Sequence, residues 1–100
     1  HVHAKDTSID QRNTELNGVL DLKPYGNELE RSWIFRTVGY GHGSEEWQDI
    51  ISTLRKVGYD GVISIEHEDS LMSVDEGFDK ASRFLRNIII SQKAGEMWWA

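Results

Sequence analysis

Gly58-Tyr59-Asp60-Gly61-Val62-Ile63-Ser64-Ile65-Glu66-His67 is the stretch on which the fold turns. Gly58 and Gly61 bracket a turn, and Val62 to Glu66 alternate as a half-buried strand does, with Ile63 and Ile65 opposite Val62, Ser64 and Glu66. Upstream, Trp47, Ile50, Ile51, Leu54 and Val57 recur at helical spacing. Ser44 is the expected N-cap of that helix, Glu45 and Glu46 suit the positive end of its dipole, and Lys56 and Gly58 close it. Downstream, Ser73 and Glu76 form a capping box before a helix carrying Val74, Phe78, Ala81, Phe84, Leu85, Ile88 and Ile89 on one side. At the start of the chain His1-Val2-His3-Ala4-Lys5 alternates too, with His1, His3 and Lys5 on one face and Val2 and Ala4 on the other. Strand, helix, strand, helix is a βαβα unit, which implies two parallel strands joined by a right-handed crossover.

Between the first strand and that helix the pattern weakens. Asp6 to Glu30 is polar, with turn chemistry at Asn17-Gly18 and Lys23-Pro24-Tyr25-Gly26-Asn27, and residues 7–32 read as a long loop insertion without regular structure. Trp33 to Val38 reads as extended, and Gly39-Tyr40-Gly41-His42-Gly43 breaks it. Met97-Trp98-Trp99 is an apolar ending, fit for the core of an absent partner, an oligomer contact or a loose end. Two parallel strands cannot bury both of their faces, so the unit is expected to complete a larger sheet or barrel, or to associate with copies of itself. The chain opens at His1 inside a strand pattern, without a leader, and residues 1–100 are therefore expected to be a fragment, the C-terminal part of a larger protein.

Composition narrows the function. Seventeen acidic against eleven basic residues give a net charge of -6, which argues against a nucleic-acid backbone binder. The longest apolar run is Ile88-Ile89-Ile90, far short of the roughly 18 residues of a membrane span. Without cysteine there is neither a disulfide framework nor a thiolate metal site, so a metal must be held by His, Asp or Glu, and a reducing, cytoplasmic location fits.

His3 and Glu66 each lie near the C-terminal end of a strand, the end at which parallel α/β barrels build their active sites. Adjacent parallel strands would bring the imidazole and the carboxylate to one rim, as half of a divalent-metal site. The plainer alternative for each is a polar strand residue or a salt-bridge partner. His67, Glu68 and Asp69 have ligating chemistry but read as a solvated loop, and His42 reads as a loop residue. Arg36 is suited to hold a hydroxyl, carbonyl or phosphate oxygen, or else pairs with one of the many acidic residues. Gly39-x-Gly41 lacks the further glycine and the Lys-Ser/Thr of a phosphate loop, and Trp47 belongs to the core.

Three motifs in order resemble the C-terminal quarter of the sugar phosphate isomerase/epimerase family: His1-Val2-His3-Ala4-Lys5-Asp6, then Arg36-Thr37-Val38-Gly39-Tyr40-Gly41 with Trp47, then Gly58 to His67. That family has the xylose-isomerase-like TIM barrel, (β/α)8, and includes ketose 3-epimerases, hydroxypyruvate isomerase and inosose dehydratase, with endonuclease IV a more distant relative. The resemblance runs from His1 to about Leu85 and excludes the loop from Thr7 to Ser32. It implies that the two strands are the seventh and eighth of the barrel, that His3 and Glu66 are metal ligands, and that Glu66 also exchanges a proton with substrate. Arg36 would contact substrate oxygens. Apart from the resemblance, His1 reads as a residue that supports the ligands from behind or is merely structural, and Lys5 and His67 are the other candidates for such support. The remaining ligands, a Glu and an Asp with a neighbouring His, would lie upstream.

The implied reaction is isomerisation or epimerisation of a sugar or sugar phosphate by proton transfer through a cis-enediolate. Oxygen and nitrogen ligands suit manganese, magnesium or cobalt, with zinc also admissible. The intact parent would be the enzyme, and the fragment alone, with two ligands, would be inactive. Two other readings stand beside this one: a non-catalytic assembly module, and a metal-dependent AP-endonuclease-like phosphodiesterase on the same barrel, against which the acidic charge weighs.

Overall fold

A computed structural model describes residues 1–100 as a small mixed α/β domain with four short strands and four helices. Strand β1 (Val2–Ala4) pairs in parallel with β4 (Ile63–Ile65), with Val2 opposite Ile63, His3 opposite Ser64 and Ala4 opposite Ile65. This is the pairing that the two alternating stretches predict. Between them run α2 (Ser44–Lys56) and, after β4, α3 (Val74–Ile88). Both helices lie on the Ala4 side of the pair. There Ala4, Val38, Trp47, Ile51, Ala81, Leu85 and Ile88 form the buried core, with Ile63, Ile65 and Phe84 packed against it.

The core is narrower than the apolar spacing predicts. Trp47 and Ile51 are buried in α2, while Ile50 and Val57 are 44% and 73% exposed. In and beside α3, Val74, Phe78 and Ile89 are likewise exposed. Two strands are too few to cover the whole apolar stripe of either helix, so its flanks remain in solvent. Gly43, not Ser44, is the N-cap of α2, and its N–H donates to Glu46 Oε2 at 3.1 Å. At α3, Ser73 Oγ accepts from the Glu76 N–H at 3.2 Å, while the Glu76 carboxylate turns away to Lys80. Only half of the expected capping box forms. Gly58 closes α2 with φ +84°, as its place after Val57 requires.

The stretch 7–32, read above as an unstructured loop, is organised instead. Strand β2 (Asp6–Ile9) begins one residue after the parallel pair ends and forms an antiparallel hairpin with β3 (Trp33–Arg36). The connection holds α1 (Gln11–Asn17) and a 3-10 helix (Tyr25–Glu30). Neither helix buries a residue, which is why neither leaves a periodic apolar signal. Polar side chains hold the insertion together. Asp10 caps α1, Asn13 Nδ2 donates to the Leu29 and Arg31 carbonyls at 2.9 Å each, and buried Asp21 accepts from the Ser32 and Lys23 N–H groups.

One carboxylate joins these parts. Asp6 Oδ2 accepts from the N–H groups of Gly39, Gly41 and His42 and from the Trp47 indole, at 2.9, 3.2, 3.0 and 3.0 Å. Its Oδ1 accepts from the Thr7 N–H at 2.9 Å and from His42 Nδ1 at 2.7 Å. The approach is so close that a Cβ on Gly41 would overlap the Thr7 carbonyl oxygen and the Asp6 carboxylate. Gly39 holds φ +95°, the left-handed region that a side chain resists.

Burial pushes the Asp6 carboxyl up, but the donors from His42, Trp47 and Thr7 outweigh it and hold the group below the ordinary value of 3.8. Asp69 behaves likewise: burial is opposed by the donors of Thr37, Leu71 and Arg36, and its carboxyl also lies below 3.8. Depressed folded-state values mean that the unfolded chain binds more protons on the acid side. This stabilisation is therefore complete above the unfolded value and is lost as pH falls through the folded ones. Asp6→Ala strands several buried donors and should cost about 3 kcal/mol or more in urea unfolding at neutral pH. Asp6→Asn should flatten the fall in urea midpoint between about pH 5 and pH 2, and a slope equal to the parent's would refute the assignment.

Candidate functional site

The face of the parallel pair turned away from the helices carries a ladder of polar side chains. His1 Nε2 meets Ser64 Oγ at 2.7 Å, His3 Nδ1 contacts Glu66 Oε1, and Lys5 Nζ donates to Glu68 Oε1 at 2.8 Å. Each side chain of β1 and its continuation reaches two residues past its register partner, following the lean of side chains along a strand. The upper two rungs lie at the C-terminal ends of β1 and β4. Open α/β sheets and barrels place their ligands at that rim.

Glu66 is bracketed there. His3 engages Oε1, and Lys5 Nζ stands 3.7 Å from Oε2. The hydrogen bond with His3 is the main reason that the Glu66 carboxyl lies below the usual glutamate range; burial opposes it, and the charges of His3 and Lys5 add to it. Glu66 is thus an anion throughout the neutral range. The His1 ring supports His3 edge-on, with centroids 5.0 Å apart.

The other residues singled out from sequence divide. Lys5 stands beside Glu66, between its carboxylate and that of Glu68. His67 does not: its Nε2 donates to the Met72 carbonyl at 3.1 Å, and its ring lies against Gly77 and 6.0 Å from Phe78 on α3. It anchors the loop after β4 and touches neither His3 nor Glu66. Arg36 takes the ion-pair alternative, with Nε 3.1 Å from Asp69 Oδ2 and the guanidinium 5.3 Å from the Tyr40 ring. Asp69, read as part of a solvated loop, is instead a buried anchor that also accepts from the Thr37 N–H and Oγ1 and the Leu71 N–H. His42, read as a plain loop residue, is the imidazole partner of Asp6. Because a carboxylate only accepts, this contact puts the ring proton on Nδ1.

Sequence reasoning passed over Asp6 and Asp69 as anchors. The available signal was the run Gly39 to Gly43, whose N–H groups have no strand to meet and need an acceptor of high capacity.

The insertion closes one side of the rim. Tyr25 and Phe35 stack with centroids 6.0 Å apart, the Phe35 N–H donates to Tyr25 Oη at 2.7 Å, and Lys5 Nζ lies 3.9 Å above the Phe35 ring. Beside this stack is a crevice of about 160 Å³ lined by Tyr25, Phe35, Glu68 and Ser70. A larger hollow of about 300 Å³, lined mainly by Ile51, Leu54, Ile63, Ile89 and Ile90, opens at the N-terminal end of β4, away from Glu66.

A divalent ion would find one imidazole nitrogen and one carboxylate oxygen at His3 and Glu66. That donor set suits a hard or borderline cation. No group of three or more His, Asp or Glu able to hold a metal is assembled within these residues. The pair therefore fits as part of a ligand shell and cannot complete one.

Fold and rim define a mixed α/β unit whose polar strand ends are gathered on one side. No family model matches the sequence. A protein of Bacillus subtilis (strain 168), described as uncharacterized protein YfiH, is 33% identical over 89 residues, which are 89% of this chain. The match covers 28% of that relative's length. No helix is long and apolar enough to cross a membrane.

Asp69→Ala removes the acceptor that ties Arg36 and Thr37 to the loop after β4. It should lower stability by about 2–4 kcal/mol in urea unfolding, and an unchanged midpoint would show that the anchor is dispensable.

Proposed function

We propose that this chain supplies strands seven and eight, with their helices, to a xylose-isomerase-like (β/α)8 barrel of the sugar phosphate isomerase/epimerase type. In this proposal His3 and Glu66 are two ligands of a divalent metal. The observation that carries the reading is the parallel β1–β4 pair, with helices on one face and the contacting His3 and Glu66 at the C-terminal rim of the other. The relative's length supports it as well: the matched segment is 28% of a chain long enough for a barrel of about 250 residues.

The metal, Mn, Mg or Co by preference, would be completed by carboxylate and imidazole ligands from other strands and would supply Lewis-acid polarisation of the substrate carbonyl. Glu66, kept anionic by His3 and Lys5, takes the proton from the carbon next to that carbonyl or returns one to it. Lys5 holds the outer oxygen of that carboxylate and fixes its direction. Asp69 grips Arg36 through Nε and leaves the outer guanidinium nitrogens to a substrate hydroxyl or carbonyl oxygen. Proton removal and return on opposite faces give epimerisation; return to the neighbouring carbon gives isomerisation.

In the complete protein, Glu66→Gln should reduce kcat by roughly 10²–10⁴-fold while the thermal unfolding transition stays in place. Chelation with EDTA should abolish turnover, and Mn²⁺ should restore it. Full activity of the Glu66→Gln protein would remove Glu66 from the chemistry.

An assembly role has its own supporting observation. Met97, Trp98 and Trp99 are 71%, 88% and 68% exposed, an apolar group with no partner in this chain. Sedimentation velocity separates the two readings. If this face serves assembly, the complete protein should oligomerise independently of metal, and Trp98→Ser with Trp99→Ser should return it to the monomer.

A further inference from the structure

Two apolar features serve neither the rim nor the core. One is the hollow of about 300 Å³ at the N-terminal end of β4, walled by Ile51, Leu54, Tyr59, Ile63, Ile89 and Ile90. An apolar cavity of about 150 Å³ already takes a benzene ring, so this one admits an indole. The other is the arm that follows α3, residues 91–100. Arg55 Nη1 and Nη2 donate to the Ile90 and Gln92 carbonyls at 3.0 and 2.5 Å, which fastens the root of the arm to α2. Beyond Gln92 the arm has neither helix nor strand, and its tip is a turn closed by the Ala100 N–H on the Met97 carbonyl at 3.2 Å. That turn displays Met97, Trp98 and Trp99 to solvent.

The root of the arm is itself a wall of its own hollow, through Ile89, Ile90 and Ser91. To enter that hollow the tip would have to double back within residues 93–97, and it stands in solvent instead. The hollow of a second copy requires no such reversal. Neighbouring strands would add to the free edges of β1 and β4 and leave the space between β4 and its own helices open.

The charges match as well. Asp60 and Arg55 flank the hollow, Lys93 and Glu96 lie on the arm, and none of the four makes an ion pair within the chain. Asp60 facing Lys93 and Arg55 facing Glu96 would join opposite signs across the contact, with Asp60 or Ser91 to accept an indole N–H. Exchange about a two-fold axis makes each contact twice. Four indoles bring roughly 600–1,000 Å², and the partner surface they cover raises the total to the roughly 1,200–2,000 Å² of stable interfaces.

We infer that residues 91–100 are an exchange arm whose occupant site is the hollow of a second copy of this chain. One indole fills the hollow, the other covers its edge, and the partner's arm returns the contact. This rests on the assembly reading of the arm and not on the barrel, because every residue named belongs to this chain.

Sedimentation velocity of the complete protein over a dilution series reads arm and hollow separately. The parent should be a dimer with or without EDTA, since the hollow lies at the end of β4 opposite the rim. Trp98→Ser with Trp99→Ser should raise the dimer dissociation constant roughly tenfold or more. Ile90→Asp, on a half-exposed side chain of the hollow, should raise it to a similar extent. Circular dichroism verifies the fold of each. An equimolar mixture of the two variants gives each mixed pair one intact arm and one intact hollow. It should therefore dimerise at concentrations at which each variant alone is monomeric, and a mixture that stays monomeric overturns the inference. If Ile90→Asp dimerises as the parent does, the hollow is not the receptor and the inference falls, while the assembly reading of the arm stands. A monomeric parent removes both.

Discussion

The Asp6 carboxylate is the constraint on which the rest of the structure depends. It is the first residue of the hairpin, one step past the parallel strand pair, and nearly all of its surface is buried. Four donors meet one oxygen and two meet the other, drawn from β2, the glycine loop and the indole of α2. A buried carboxylate without such partners would be costly, and buried N–H groups without an acceptor would be costly too. Each side of the arrangement is stable only because of the other. Through it the strand that carries His3 and Lys5 is tied to the helix that covers its opposite face.

Asp69 repeats the device on the other strand. It follows Glu66 by three residues, is buried, and fastens the end of β3 to the loop after β4. The rim is therefore built as a polar upper layer of two carboxylate anchors over an apolar lower layer of Trp47, Ile51, Ala81 and Leu85. Alternation along β1 and β4 sends Ala4, Ile63 and Ile65 down to the helices and leaves His3 and Glu66 free to meet on the open face. Fixed backbones on both sides are what the proposed ligand pair would require, because its side chains must be positioned before the ligand arrives.

The same economy accounts for the exposed apolar surface. Only 14 of 100 residues are buried, and Val57, Val74 and Phe78 stay in contact with solvent although their spacing is that of core residues. Two strands offer too little area to cover the flanks of two helices. In a closed barrel the neighbouring strands and helices would take up those positions, which agrees with the proposal that the unit belongs to a larger assembly.

Periodicity in the sequence was enough for the parallel pair, for α2 and α3, and for the meeting of His3 with Glu66. Alternation and helical spacing are local properties, and parallel pairing then follows from the order of the elements. The hairpin of β2 and β3, the helix α1 and the 3-10 helix Tyr25–Glu30 were not legible in the same way. They are held by Asn13, Asp21 and Tyr25 reaching backbone groups 10 to 18 residues away, and such bonds leave no period to read. Charge type alone could not separate Asp6 and Asp69, which are buried anchors, from Glu66 and Glu68, which face the rim. Nor could it separate the supporting Lys5 from His67, turned toward α3. An ionisable side chain takes its role from the donors and acceptors that surround it, and those neighbours come together only in the folded chain.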